Sequence, residues 1–167
     1  YLHSLLHCIF LHCFPKKDNE GNPAVDIQYW NLACDITVEN MIDGLYLKCV
    51  HQPVSMVKRQ ALQLILETGK ILTAQRVYRK LQSLHLPEYK IQELRREFEQ
   101  DDHSKWYEKQ PGSPRMSQHK KNWDDIRNRM QTEMETFSKE AGEGGESLVE
   151  QLRAQNRNRY DYKEFLR

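Results

Sequence analysis

Apolar side chains recur at helical spacing along most of this chain, and helix-interrupting residues are scarce, with seven glycines and six prolines among 167 residues. That pattern predicts a mainly α fold. A first helix is expected from the start of the chain to about Cys13, stopped by Pro15. Turn-forming residues between Lys16 and Val25 separate it from a second helix over Ile27 to Cys49, whose apolar stripe is Trp30, Cys34, Val38, Met41, Ile42 and Leu45. Val54 to Thr68 repeats the pattern with Ser55 as N-cap. Thr73 caps a helix to Leu84, and Lys90 to Glu99 forms another after the Leu86-Pro87 break. Residues 110–121, rich in Pro, Gly and Ser, read as a linker. Residues 122–167 read as a charged, partly flexible helical arm with a glycine-rich break over 141–147, which leaves 1–109 as the expected compact domain.

Charge and cysteine usage narrow the class. The 25 basic and 24 acidic side chains nearly cancel, without the one-sided basic excess of a nucleic-acid-binding surface. Cys8, Cys13, Cys34 and Cys49 fall at irregular spacings in the first third, with no CxxC pair, unlike a secreted disulfide framework or a zinc ribbon. Reduced thiols in a cytoplasmic protein are the expected state. The apolar run from Leu2 to Phe14 is too short to span a bilayer and holds three histidines, so no membrane segment is expected. Tyr1 is not an initiator methionine, and the densest motif begins at once, as in a fragment preceded by further sequence.

That motif is His3-Ser4-Leu5-Leu6-His7, followed by His12. Histidines four apart on a helix differ by about 40° in azimuth, so His3 and His7 can share one metal ion. The spacing is that of an HExxH metallopeptidase, in which the glutamate acts as general base. Ser4 stands in the place of that glutamate, and a hydroxyl has no useful basicity near neutral pH. Two core histidines held by backbone or water are the plain alternative. Asp35 strengthens the metal reading, because a carboxylate among Leu32, Ala33, Cys34, Ile36 and Val38 calls for a partner or an ion. Asn31, Asp35 and Glu39 form one polar stripe on the same helix. His12 lies nine residues after His3, about 180° around a continuous helix. It therefore ranks below Asp35 as a ligand, since no glycine eases a turn between His7 and His12. A third cluster, Asp101-Asp102-His103-Ser104-Lys105-Trp106, reads as supporting a site or contacting a substrate, or else as a polar loop anchored by Trp106.

Taken in order, HxxxHCxFxH, WNLACDxxxEN and DDHSKW resemble the bacterial metallopeptidase-type domain that precedes a von Willebrand factor A-like domain, over about the first two-thirds of the chain. The resemblance implies a zincin-like fold with zinc held by His3, His7 and Asp35, and a C-terminal segment leading towards a von Willebrand A-like domain. It also implies protein or peptide partners, among them a MoxR-type AAA+ ATPase. The departure at Ser4 leaves a base to be supplied from elsewhere, with Glu39 and His103 the candidates. Three functions follow as expectations: an impaired zinc peptidase, a non-catalytic adaptor that keeps its metal, or a helical interaction module without metal.

Overall fold

The computed structural model describes residues 1–15, 24–45, 49, 55–66, 71–107, 114–141 and 146–157. The fold is mainly α. Among the described residues, seven α-helices and one short 3-10 turn occur and no strand. The helices are α1 (Leu2–Ile9), α2 (Ile27–Gly44), α3 (Met56–Leu66), α4 (Ala74–Leu84), α5 (Glu88–Phe98), α6 (Pro114–Ala141) and α7 (Glu146–Arg157), with the 3-10 turn over Ser104–Tyr107.

Side-chain caps set three of the helix starts. Asp26 Oδ1 accepts from the backbone N–H groups of Gln28 and Tyr29 at 2.9 and 3.3 Å and so caps α2. Ser55 Oγ accepts from Lys58 N at 3.0 Å ahead of α3, and Thr73 Oγ1 accepts from Arg76 N at 3.4 Å ahead of α4. Both caps agree with the sequence reading. At its far end α4 stops at His85, whose φ of 45° is left-handed.

Helix α2 is the axis of the fold. Trp30, Leu32 to Glu39 and Met41 are all buried, so the helix is covered around most of its circumference rather than along one stripe. On one side Leu32 and Ile36 pack with Ile65 of α3, Leu81 of α4 and Phe98 of α5. On another side Val38 and Met41 pack with Leu6 and Ile9 of α1 and with Leu148 and Leu152 of α7.

Three boundaries depart from expectation. Helix α1 ends at Ile9 rather than near Cys13, because Leu11 turns the chain with a φ of 58°. Such a conformation costs a non-glycine residue about 1–2 kcal/mol. Helix α2 ends at Gly44, short of Cys49. Residues 114–121 of the expected linker belong to α6, since proline is tolerated in a first helical turn.

The expected 1–109 compact domain is also too small. Leu148, Val149 and Leu152 of the arm are buried, and Trp123, Met130 and Met134 of α6 pack against the cluster around Leu6. Hydrogen bonds from Arg127 Nε to Asn156 Oδ1 (2.7 Å) and from Arg153 Nε to Glu135 Oε1 (2.7 Å) lock α6 to α7. Enough apolar side chains lie among the charges for these two helices to join the core. The rest of the expected linker (110–113), the centre of the expected break (142–145) and the end of the arm (158–167) lie outside the described residues.

Candidate metal centre

Five side chains from three segments converge beneath α1: His3 and His7 on α1, Asp35 on α2, and Asp101 and His103 in the non-helical stretch after α5. One ligand atom from each lies within 4.8 Å of all the others. Around Asp35 Oδ1, the Nε2 atoms of His3, His7 and His103 stand at 3.3, 3.2 and 3.3 Å. The Nε2 atoms of His3 and His7 are 2.9 Å apart, and Asp101 Oδ1 lies 3.4 Å from His3 Nε2 and 2.6 Å from His103 Nε2. Bonds of about 2.1 Å to a central ion would set neighbouring ligand atoms about 3.0–3.4 Å apart, and most of these spacings match the edges that such a coordination shell would have.

Hydrogen bonding alone does not account for the cluster. Asp101 Oδ1 and both ring nitrogens of His103 are buried without a hydrogen-bond partner, although Oδ1 and Nε2 stand 2.6 Å apart. Two polar atoms that close yet misaligned for a hydrogen bond fit groups turned towards a shared third atom. The carboxylates of Asp35 and Asp101 would balance the charge of a divalent cation held among these side chains.

The groups behind the donors fix their orientation. His3 Nδ1 donates to Glu39 Oε1 at 2.8 Å, so loss of the other ring proton to a metal ion would leave the Nε2 lone pair facing the cluster. Glu39 Oε2 in turn accepts from Lys58 Nζ at 2.8 Å. His7 Nδ1 lies 3.0 Å from His12 Nδ1, so an Nδ1–H on His7 finds an acceptor while Nε2 faces the donors. A carboxylate behind the ring, as Glu39 stands behind His3, is the usual support of a metal-binding imidazole. His103 is stacked on Trp106 with ring centroids 3.8 Å apart, and its backbone is held by the 3-10 turn that Asp102 caps through Ser104 N at 2.8 Å.

Electrostatics follow from the same crowding. Burial and the neighbouring His12, His3 and His103 push the His7 imidazole far below its usual range, and burial with His103 and His3 lowers His12 to about 3. Both are therefore neutral, the form a metal ligand or its acceptor needs. Burial also opposes charge on His3, but hydrogen bonds to Asp35 and Glu39 outweigh it and raise His3 to about 9. Burial pushes Asp35 up to about 6 against the pull of His3 and His103.

No family model, curated protein or solved structure matches this chain.

Set against the sequence reading, His3, His7 and Asp35 stand together as donors. His12 lies outside the five-atom group, next to His7, brought back by the turn at Leu11 and by the bond from Trp30 Nε1 to the His12 carbonyl at 3.1 Å. Glu39 and His103, the candidate bases, stand respectively behind His3 and within the donor set. The residue missed as a donor is Asp101. The available signal was the DDH run itself, an acid and a histidine two apart in a stretch without helical pattern.

Proposed function

We propose that this chain is a zinc-binding domain of the metallopeptidase type, related to the bacterial domains that precede a von Willebrand A-like domain, in which the metal is retained and peptide hydrolysis is impaired. The observation that carries this reading is the convergence of five donors from three chain segments at the spacings of a single coordination shell. Bound there, zinc would supply a Lewis acid and a folding cross-link between α1, α2 and the stretch after α5.

The chain's own groups are better arranged for holding than for proton transfer. Ser4 Oγ donates to Asp101 Oδ2 at 3.3 Å, and as a hydroxyl it cannot serve as the base that HExxH requires. Glu39 is committed to His3 and Lys58, and His103 Nε2 faces the other donors. A site closed by protein donors is the pattern of structural zinc, whereas catalytic zinc keeps a position open. We therefore favour a metal-stabilised adaptor acting on protein or peptide partners, with a MoxR-type AAA+ ATPase as the partner the sequence resemblance implies. A cytoplasmic location fits the four free cysteines. Among the described residues no helix is long and apolar enough to cross a membrane.

Two carboxylates among five donors also suit manganese or iron, which accept more oxygen ligands than tetrahedral zinc. Elemental analysis of protein purified without a histidine tag decides between them. Zinc at a single equivalent, lost together with thermal stability in a chelator, is the expected result. A metal-free preparation that gains no stability from zinc, manganese or iron overturns the proposal.

A further inference from the structure

The five donors are not equally held. Side-chain exposure is 12% for His3, 2% for His7 and 1% for both Asp35 and His103, but 31% for Asp101. His3 and His7 are fixed from behind by Glu39 and His12, and His103 by its stack on Trp106. Asp101 sits in the irregular stretch after α5. Its second oxygen receives one exposed hydrogen bond, from Ser4. It also lines a cleft of about 390 Å³ with His3, Ser4, Glu39, Asp43 and Gln100, so it lies between the buried donors and the space outside.

We propose that Asp101 is a displaceable donor that covers the metal's face towards this cleft, and that an oxygen-donor ligand of the carboxylate or hydroxamate class reaches the ion by taking its place. The inference rests on the metal reading above. His3, His7, Asp35 and His103 remain as a complete four-donor set when Asp101 leaves, which is the number tetrahedral zinc needs. In the exchange one metal–oxygen bond breaks and another forms, with no change of oxidation state. A hydroxamic acid releases its proton to the bulk solvent as it binds, in the unmodified chain and in the Asp101 variants alike. The cleft thus becomes a ligand site whose entrance is closed by a side chain of the protein itself, with Ser4 as its latch.

The test uses the full chain loaded with cobalt(II), whose visible absorption reports coordination number, and acetohydroxamate as the probe. Asp101→Ala is expected to keep its cobalt, to show the stronger absorption of four-coordination, and to bind acetohydroxamate at least ~10-fold more tightly than the unmodified chain, equivalent to ~1.4 kcal/mol. Ser4→Ala should shift affinity in the same direction by less. Asp101→Asn, which keeps the side-chain volume, serves if the alanine variant does not fold, and should also bind the probe more tightly. Equal probe affinity in the cobalt-loaded unmodified chain and the Asp101 variants overturns the proposal while leaving the metal reading intact. So does loss of cobalt from folded Asp101 variants, which would make Asp101 a holding ligand. Failure of the unmodified chain to take up any metal would instead sink the metal reading and this inference with it.

Discussion

Glu39 accepts a hydrogen bond from His3 Nδ1 at 2.8 Å through one carboxylate oxygen and from Lys58 Nζ at 2.8 Å through the other. The pair ties α3 to the donor side of α1 across α2. Because Glu39 and Lys58 are both largely buried, neither charge tolerates loss of the other.

Glu39→Ala should therefore destabilise the protein by about 3–5 kcal/mol, the usual consequence of stranding a buried charge. Adding Lys58→Met should recover most of that stability, because a buried ion pair often exchanges for apolar packing at little cost. Metal affinity should stay about 10–100-fold low in both variants, since His3 has lost its support. Denaturant unfolding and metal titration on the two variants separate these effects. Full recovery of metal affinity in the double variant would show that Glu39 does not orient His3.

Asp35 and His12 differ in kind. Asp35 Oδ1 is near all three Nε2 atoms, whereas His12 meets the cluster from the far side of His7. Asp35→Ala should abolish stoichiometric metal binding, while His12→Ala should weaken it about 10–100-fold, as is usual for a supporting partner. Metal content after gel filtration of each variant decides, and the reverse order would make His12 a ligand.

Metal affinity should rise with pH. Without an ion, His3 titrates at about 9, so below that value binding must displace its proton, and affinity falls ~10-fold for each pH unit. Below about 6 Asp35 is protonated as well, and the dependence should double. The sign is fixed because both donors bind only when deprotonated. Competition with a chromophoric chelator measures it, and an affinity flat between about pH 6 and 9 would contradict the His3 assignment.

Ser4→Glu is the change that would restore an HExxH motif. In this structure it also places a second carboxylate against Asp101, whose Oδ2 now receives the Ser4 hydroxyl. Chelator-sensitive cleavage of an unstructured peptide is expected to appear only when Ser4→Glu is combined with Asp101→Ala. A general base typically contributes ~10²–10⁴-fold, so the gain should be measurable over the unmodified chain. Robust chelator-sensitive cleavage by the unmodified chain would refute the impaired-enzyme reading.

The sequence by itself determined the helical class, the caps at Ser55 and Thr73, and the pairing of His3 with His7, because each depends on residues within one or two helical turns. It also singled out Asp35, through the energetic difficulty of an acid in an apolar helix. Only the tertiary structure decided the rest. The left-handed turn at Leu11 is unfavourable locally and is accompanied by the contact of Trp30 with the His12 carbonyl, 18 residues away in the chain. Asp101 joins the candidate donor set only when the stretch after α5 docks under α1, more than ninety residues from His3 in sequence. The burial of Leu148 and Leu152 likewise depends on where α7 lands, which a locally charged sequence does not specify. Periodicity acts over a few residues and marks which faces are apolar, whereas the choice of which faces meet is made by long-range packing.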